Sequence, residues 1–445
     1  MNLRRNTVFG ALGFGLPTLV LLVAYPLILA ALGPHALGVF LLATTIGGTF
    51  AFLEFGLTTV TTKFLAEAVG QGDGRGGANA VATSLAFYAA LSGLGAAVVF
   101  LVAPQLAGWS GAAPELRDEA ILTFRLAAVQ LVFSYFTGVG VSVFKGLHRF
   151  EFAAVVGALQ SVLVWGGAYL AVGPANAGIV GAAVAGVVGN AVACFVAGAA
   201  ALRLLHRNGV QLREGRPNRA TLRAMLRLGV FMAANGLAST LTSQVQNFLI
   251  AGLIAPVALT ITATAVQVVS KINALTSAAF EMVLPVSAAL SRRGDAESLR
   301  HLRSVYLKAL GLSLLLSVSA SATLYAVAPP LIRWWLRSEI DGAVVSVLRI
   351  YCFGLAINGA TPVAYHFLNG IGRPEANTAF MLGGAAGFYF ILLLVSPGGL
   401  TVEKFAIAAA INLVVNGIVY LVFVEAVAWR RWVVPALRPA TEEAP

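Results

Sequence analysis

The sequence predicts an all-α integral membrane protein of twelve transmembrane helices in two six-helix bundles, and three observations carry that expectation. Hydrophobic residues make up 59% of the chain and the mean hydropathy is +0.86, against roughly 45–50% apolar residues in soluble domains. Charged residues contribute only 11%, and the stretches 8–32 and 179–202 contain none, as helices crossing a hydrocarbon core about 30 Å thick require. Finally, a set of residues recurs at one fixed offset further along the chain, which marks the second half as a duplicate of the first.

A window of about 19 residues places the spans in order. The first, 8–32, follows Arg4 and Arg5 and exceeds the roughly 7–15-residue apolar region of a cleavable signal, so it reads as an uncleaved helix ending at Gly33 and Pro34. The second, 38–62, closes on Lys63; the third, 80–103, on Pro104; the fourth, 120–143, just before Lys145. The fifth, 152–172, lies between Arg149 and Gly173, and the sixth, 178–202, stops at Arg203. The pattern returns at 226–253, at 257–283 before Pro285, at 305–328 before Pro329, and at 343–368, 377–395 and 402–428. The domain plan is an N-terminal bundle over 1–202, a basic linker over 203–225, a C-terminal bundle over 226–430 and a cytoplasmic tail over 431–445. Cys194 and Cys352 each sit inside an apolar stretch and read as small core hydrophobes, not as a disulfide or metal site.

An even number of spans puts both termini on one side, and Lys and Arg accumulate in short cytoplasmic loops. With the termini inside, 22 of the 29 Lys and Arg residues lie on the cytoplasmic side, six lie opposite, and Lys271 falls within a span. The net charge of +11 therefore follows from topology. It argues against nucleic-acid binding, because the charge is spread over successive loops and gathered in no domain. The largest block, 203–227, holds seven arginines and His206; such a stretch anchors topology or touches anionic phospholipid headgroups.

The duplication is specific. Arg125 and Arg349, Gly146 and Gly370, Arg149 and Arg373, and Glu151 and Glu375 all share one offset of 224, while Ala66, Gly72 and Asp73 find partners at an offset of 222 in Ala288, Gly294 and Asp295. Halves with an even number of helices share orientation, so a pseudo-two-fold axis along the membrane normal relates them, as in transporters whose halves rock about a central site.

Several motifs then resemble one family. The opening from Arg5 and Asn6 through Pro26, followed by Leu32-Gly33-Pro34-His35-Ala36-Leu37-Gly38, is similar to the start of bacterial polysaccharide flippases. Leu53-Glu54-Phe55-Gly56-Leu57, with Lys63, Ala66 and Glu67 after it, resembles that family's second-helix pattern, and Gly146-Leu147-His148-Arg149 and Asn369-Gly370-Ile371-Gly372-Arg373 resemble its short cytoplasmic turns. The resemblance, to the O-antigen type within the multidrug/oligosaccharidyl-lipid/polysaccharide exporter superfamily, implies a V-shaped cavity between the bundles and alternating access. It also implies an undecaprenyl-pyrophosphate-linked oligosaccharide as cargo, the bacterial inner membrane as location, and membrane lipid and other polysaccharide-assembly proteins as partners. A cation-coupled multidrug antiporter of the same superfamily is the first alternative and a membrane enzyme of polysaccharide assembly the second. Lipid II flippases typically carry two further helices, and no thirteenth or fourteenth span is found here.

Ionisable residues inside a bilayer cost about 2.5–3.5 kcal/mol at mid-depth on insertion scales, so each calls for a reason. Glu54 lies nine residues before Lys63, roughly 13 Å inside the cytoplasmic boundary, and Lys271, fourteen before Pro285, lies about 21 Å in. Helices two and eight are repeat equivalents, so these two side chains are expected to approach across the cavity in one conformation and separate in another. Lys271 then attracts a pyrophosphate or sugar-acid charge as a point charge, and Glu54 carries a coupling H+ or Na+; the alternative is a permanent ion pair or two side chains snorkelling to water. Gln267 shares a face with Lys271 by its i, i+4 spacing. Asn247, with Asn235, Gln244 and Gln246 in helix seven and Asn273 in helix eight, completes a polar set that lines the cavity or ties helices together. Arg125 and Arg349, near the outer ends of helices four and ten, contact a translocated headgroup or anchor the interface.

Signals for enzymology are missing from the sequence. Gly70 to Gly77 is glycine-rich without the Lys-Ser/Thr of a phosphate loop and reads as a flexible loop. The histidines at 35, 148, 206, 301 and 366 show no metal spacing. No cofactor is expected beyond the coupling ion.

Overall fold

The computed structural model describes residues 3–50, 56–293 and 295–433, with side chains described except at 3–14, 231–235, 239 and 430–433. The described residues form fifteen α-helices and no strand. They run α1 (Leu3–Thr49), α2 (Leu57–Gly70), α3 (Gly74–Trp109), α4 (Arg117–Gly146), α5 (Phe150–Ser161), α6 (Gly167–Val172), α7 (Gly178–Arg207), α8 (Arg219–Leu253) and α9 (Pro256–Phe280). After them come α10 (Val283–Arg293), α11 (Ala296–Trp335), α12 (Asp341–Asn358), α13 (Thr361–Gly370), α14 (Pro374–Val395) and α15 (Val402–Phe423). Ten helical stretches among the described residues are long and apolar enough to cross a membrane. The helix count exceeds that of the stretches because three stretches are built from two pieces, α5 and α6 joining through a π turn at Val162–Gly166, α9 continuing into α10 and α12 into α13, and because α2 and α8 are not among the ten.

The chain divides into two compact units, Met1–Thr260 and Ile261–Pro445. In the first, α4 is the central post, packed on α3 and α7; in the second, α12 holds the same place between α11 and α15. α8 packs on α1, α2 and α3, and the boundary between the units falls inside α9. The linker read at 203–225 is mostly helical: α7 runs on to Arg207, a 3-10 turn covers Leu212–Glu214, and α8 starts at Arg219. It is also docked, since Arg216 N donates to Asn79 Oδ1 at 2.8 Å and Asn218 N to Thr83 Oγ1 at 3.1 Å. The tail beyond residue 433 lies outside the described residues.

The Leu32–Gly38 motif has a clear job. Gly33 adopts φ 76°, ψ 165° and breaks α1 into two arms. Pro34 O accepts from Thr260 Oγ1 at 2.7 Å, and His35 Nε2 accepts from Ala113 N at 3.2 Å. A Cβ on Gly38 would collide with the Pro256 carbonyl oxygen. These four positions thus clamp the α8–α9 turn and the loop after α3 onto the bend of α1.

The repeated turns match in detail. After α4, His148 takes φ 56° and Arg149 N donates to Phe144 O at 2.7 Å; after α13, Gly372 takes φ 77° and Arg373 N donates to Leu368 O at 2.9 Å. Both are six-to-one closures that satisfy the last helical carbonyls. In each turn the arginine pairs with the acid two residues on, Arg149 with Glu151 at 2.6 Å and Arg373 with Glu375 at 3.3 Å. A Cβ on Gly146 would meet Thr62 O, and one on Gly370 would meet the carbonyl oxygen of Leu284, the repeat partner of Thr62 at the offset of 222. The glycine-rich stretch before α3 is a tight capped turn rather than a flexible loop: Gly72 has φ 73°, and Asp73 Oδ1 accepts from Gly76 N at 2.8 Å. Asp295 repeats the cap on α11, accepting from Ser298 N at 2.8 Å and Ser298 Oγ at 2.7 Å.

Two outcomes follow. Gly38→Ala should destabilise the protein by about 1–3 kcal/mol, the usual cost of overpacking, because its neighbour is backbone. Gly47→Ala, with open space around its Cβ, should be neutral or slightly stabilising; thermal unfolding followed by size exclusion separates the two. The hydrogen bonds from Ser298, its backbone amide first, hold the exposed Asp295 carboxyl below its ordinary value. A depressed folded value means the cap's contribution is complete above the unfolded pKa of about 3.9 and fades as pH falls through the folded one. Asp295→Ala should therefore lower the melting temperature at pH 7, and the gap to wild type should narrow as the pH falls below the unfolded value of about 3.9.

Candidate functional site

Of the six residues singled out in the sequence, Glu54 lies outside the described residues. Its flanks are described: the second arm of α1 stops at Thr49, and α2 starts at Leu57 behind Gly56, whose φ of 58° and ψ of 22° are left-handed. The second span, expected as continuous over 38–62, is thus interrupted at Gly56. The open end of α1 is held by the neighbouring helix, with Tyr135 Oη donating to Phe50 O at 2.9 Å.

Lys271 and Gln267 stand on one face of α9, both half-buried. At 1.5 Å per residue Lys271 is about 22 Å from the helix start at Pro256. The first turns of α9 are tightly packed, with Thr260, Thr264 and Ala265 at 0% exposure, whereas beyond them Val266, Ser270, Asn273 and Leu275 are exposed. Ser270 Oγ donates to Gln267 O at 2.9 Å. Lys271 therefore sits where protein cover thins.

Asn247 lies in the first unit on α8, in the half-buried polar run from Ser243 to Asn247. Thr240 Oγ1 donates to Gly48 O at 3.4 Å, and the Gln244 side-chain amide fills the space that a Cβ on Gly48 would need. The side chain of Asn235 lies outside the described residues.

Arg125 and Arg349 repeat one another in three dimensions. Arg125 lays its guanidinium 4.7 Å over the ring of Phe100 on α3, and Arg349 lies 4.7 Å over Tyr325 on α11, its Nε donating to Tyr325 O at 3.3 Å. Phe100 and Tyr325 stand at the same offset from one another as Pro104 and Pro329 within the same two helices. Cation–π contacts of this kind contribute about 0.5–1 kcal/mol when exposed and more when desolvated. Arg125 Nε is buried without a hydrogen-bond partner, so an N–H on that guanidinium remains to be satisfied by something other than the described residues.

One polar junction escaped the sequence reading. Asn190 on α7 accepts from Ser134 Oγ at 3.0 Å and from Gln160 Nε2 at 2.8 Å, and donates to Gly186 O at 2.8 Å, tying α4, α5 and α7 together. Its signal was legible as the only amide in the charge-free stretch 179–202. Among the described residues no group of three or more His, Cys, Asp or Glu side chains could hold a metal ion.

Residues 3–291 match the family model described as polysaccharide biosynthesis protein. No curated protein matches the sequence. Among solved structures, a multidrug resistance MATE family transporter of the MOP superfamily in an inward-facing conformation is 19% identical, covers 97% of this chain and 99% of its own, and has a TM-score of 0.82. The lipid II flippase MurJ in an inward closed conformation is 13% identical over 94% of this chain and 87% of its own, with a TM-score of 0.74. A MOP superfamily transporter from Pyrococcus furiosus is 20% identical over 95% and 94%, with a TM-score of 0.62. At these identities the likeness is one of fold: an all-helical architecture with many long apolar helices.

Asn190→Leu should strand two donors from neighbouring helices. Interhelical hydrogen bonds in membranes average about 0.6 kcal/mol with a maximum near 1.7, so the loss of both is expected to cost about 1–3 kcal/mol, read as a lowered unfolding midpoint in detergent. Gln160→Leu, which removes one, should cost less.

Proposed function

This chain belongs to the polysaccharide biosynthesis protein family, and from that premise we propose that it flips a lipid-linked oligosaccharide of the undecaprenyl-pyrophosphate type. Transport runs from the cytoplasmic to the outer leaflet of the bacterial inner membrane, by alternating access, for surface polysaccharide assembly. The family match over residues 3–291 is the observation that carries this reading. The shared fold with a lipid II flippase supports it, and so does the repeat in the sequence, since internal duplication is common in transporter folds. The proposal needs translocation only, with no covalent step, no cofactor beyond a coupling H+ or Na+, and no nucleic acid. Both termini face the cytoplasm in it, and other polysaccharide-assembly proteins act before and after it.

In this reading Lys271 attracts the pyrophosphate as a point charge, with Gln267 beside it, and Asn247 offers an amide to sugar hydroxyls. Glu54 carries the coupling ion. Arg125 and Arg349 meet the headgroup at the outer side, where the unsatisfied Nε of Arg125 suits a phosphate oxygen. The second reading, cation-coupled multidrug antiport, is favoured by the TM-score of 0.82 to a MATE family transporter.

Flipping measured in proteoliposomes with and without a proton or sodium gradient tests both readings. Wild type should translocate a lipid-linked oligosaccharide, Lys271→Ala should lose at least about tenfold in rate, equivalent to about 1.4 kcal/mol, and Glu54→Gln should flip without responding to the gradient. Efflux of cationic dyes with no flipping across a panel of lipid-linked sugars would move the assignment to antiport.

A further inference from the structure

We propose that the first unit holds one anionic phospholipid in a groove between α3, α4 and α7, an acyl chain lying in the groove and the phosphate resting against the arginines at its basic end. This inference does not depend on the identity of the transported cargo. The groove has a volume of about 420 Å³ and is lined by apolar side chains, among them Leu85 of α3, Phe136 and Val139 of α4, Leu202 of α7, and Leu212 of the linker. That volume is in the range of small-molecule sites, roughly 300–1,000 Å³. Phe195 and Leu202 at its rim are 72% and 51% exposed. Their surroundings in a bilayer are hydrocarbon, so the groove opens sideways to lipid.

Two glycines shape it. Gly140 lets α4 approach α7 closely, since a Cβ there would stand 3.0 Å from Ala197 Cβ, whereas a Cβ on Gly198 would meet nothing within 4 Å. The space beside Gly198 is therefore the groove itself. At the offset that pairs Arg125 with Arg349, Gly198 falls on Val422 and Gly140 on Ala364, so the duplicated half carries side chains where this one leaves room.

Charge identifies the occupant. The groove ends at the start of the basic linker: Arg203 stands one helical turn beyond Ala199, His206 one turn beyond Leu202, and Arg213 directly after Leu212. Positions four apart share a helix face, and all three of these residues are exposed or half-exposed. The nearest acid in the linker, Glu214, is paired with Arg75 at 3.7 Å. An apolar slot capped by cations that form no ion pair among the described residues complements a lipid with a hydrocarbon chain and an anionic headgroup, and basic pockets at the cytoplasmic ends of spans recognise such headgroups.

Native mass spectrometry of the full chain, released from mild detergent after incubation with equimolar phosphatidylglycerol and phosphatidylcholine, tests this. Wild type should retain one phosphatidylglycerol in at least fivefold preference to phosphatidylcholine. Gly198→Trp should lose the retained lipid, while Gly93→Trp, an equally bulky change on α3 with open space at its Cβ, should keep it. Arg203→Ser with Arg213→Ser should retain lipid without headgroup preference; if Gly198→Trp does not fold, this variant and the milder Gly198→Leu decide. Equal retention of the two lipids by wild type, unchanged retention by the Gly198 variants, or an unchanged preference in the double arginine variant would each overturn the proposal.

Discussion

A bilayer core offers the peptide backbone no water, and everything else in this structure is arranged around that shortage. Helices solve it for whole spans, because every N–H and C=O is satisfied within the segment. Where a span breaks, a hydroxyl from a neighbouring helix takes the freed carbonyl. Thr260 donates to Pro34 O after the bend at Gly33, Tyr135 donates to Phe50 O where α1 stops, and Ser313 donates to Gly359 O at 2.6 Å between α12 and α13. Three interruptions, two on α1 and one between α12 and α13, thus use one device. Each couples a break to a particular neighbour, so the breaks become joints with a fixed partner instead of weak points.

The same shortage explains the heavy use of glycine. Hydrocarbon surrounds the helices as well as filling the spaces between them, so association relies on close packing and hydrogen bonds. Gly38 against the Pro256 carbonyl, Gly146 against Thr62 O and Gly370 against Leu284 O are places where backbone meets backbone. The last two are repeat equivalents. Together with the paired turns, the paired Asp caps and the paired arginine–aromatic contacts, they show that duplication preserved the joints of the bundle more faithfully than its apolar faces, where one aliphatic side chain replaces another at little cost.

This division also governs how much the sequence disclosed. Spans were legible because hydrophobicity adds up along the whole length of a helix that crosses the bilayer, and the turns were legible because Gly146, Arg149 and Glu151 recur intact at Gly370, Arg373 and Glu375. The end of α1 at Thr49 and the left-handed Gly56 were not, since Thr-rich and Gly-rich stretches are tolerated in membrane helices and the hydroxyl that holds the Phe50 carbonyl comes from Tyr135, far along the chain on α4. Nor was the docking of the linker, whose partners Asn79 and Thr83 belong to α3, four helices earlier. Among the candidate site residues, the sequence placed Arg125 and Arg349 as equivalents but gave no hint of the ring beneath each guanidinium. The shared face of Gln267 and Lys271 on α9 followed from spacing alone.

Duplication finally offers a way to sort scaffold from cargo chemistry. A residue needed to hold a bundle together is needed in both halves, and the aromatic seats of Arg125 and Arg349 fit that description while leaving the Arg125 Nε open to a headgroup. The deep charges do not. At the offset of 222 that relates helices two and eight, Lys271 corresponds to Thr49 and Glu54 to Thr276. A charge inside the bilayer costs about 2.5–3.5 kcal/mol to keep, so each of the two calls for a reason. One cation on one repeat and one acid on the other, each matched by a threonine in the other copy, agrees with the proposed function, in which a duplicated scaffold handles two different charges: a fixed anion on the cargo and a mobile cation that drives it. A carrier of cationic drugs would gain nothing from Lys271, which would repel its substrate. On that reasoning the choice between oligosaccharide lipid and drug turns on this single ammonium, and the fold, which both kinds of transporter share, does not decide it.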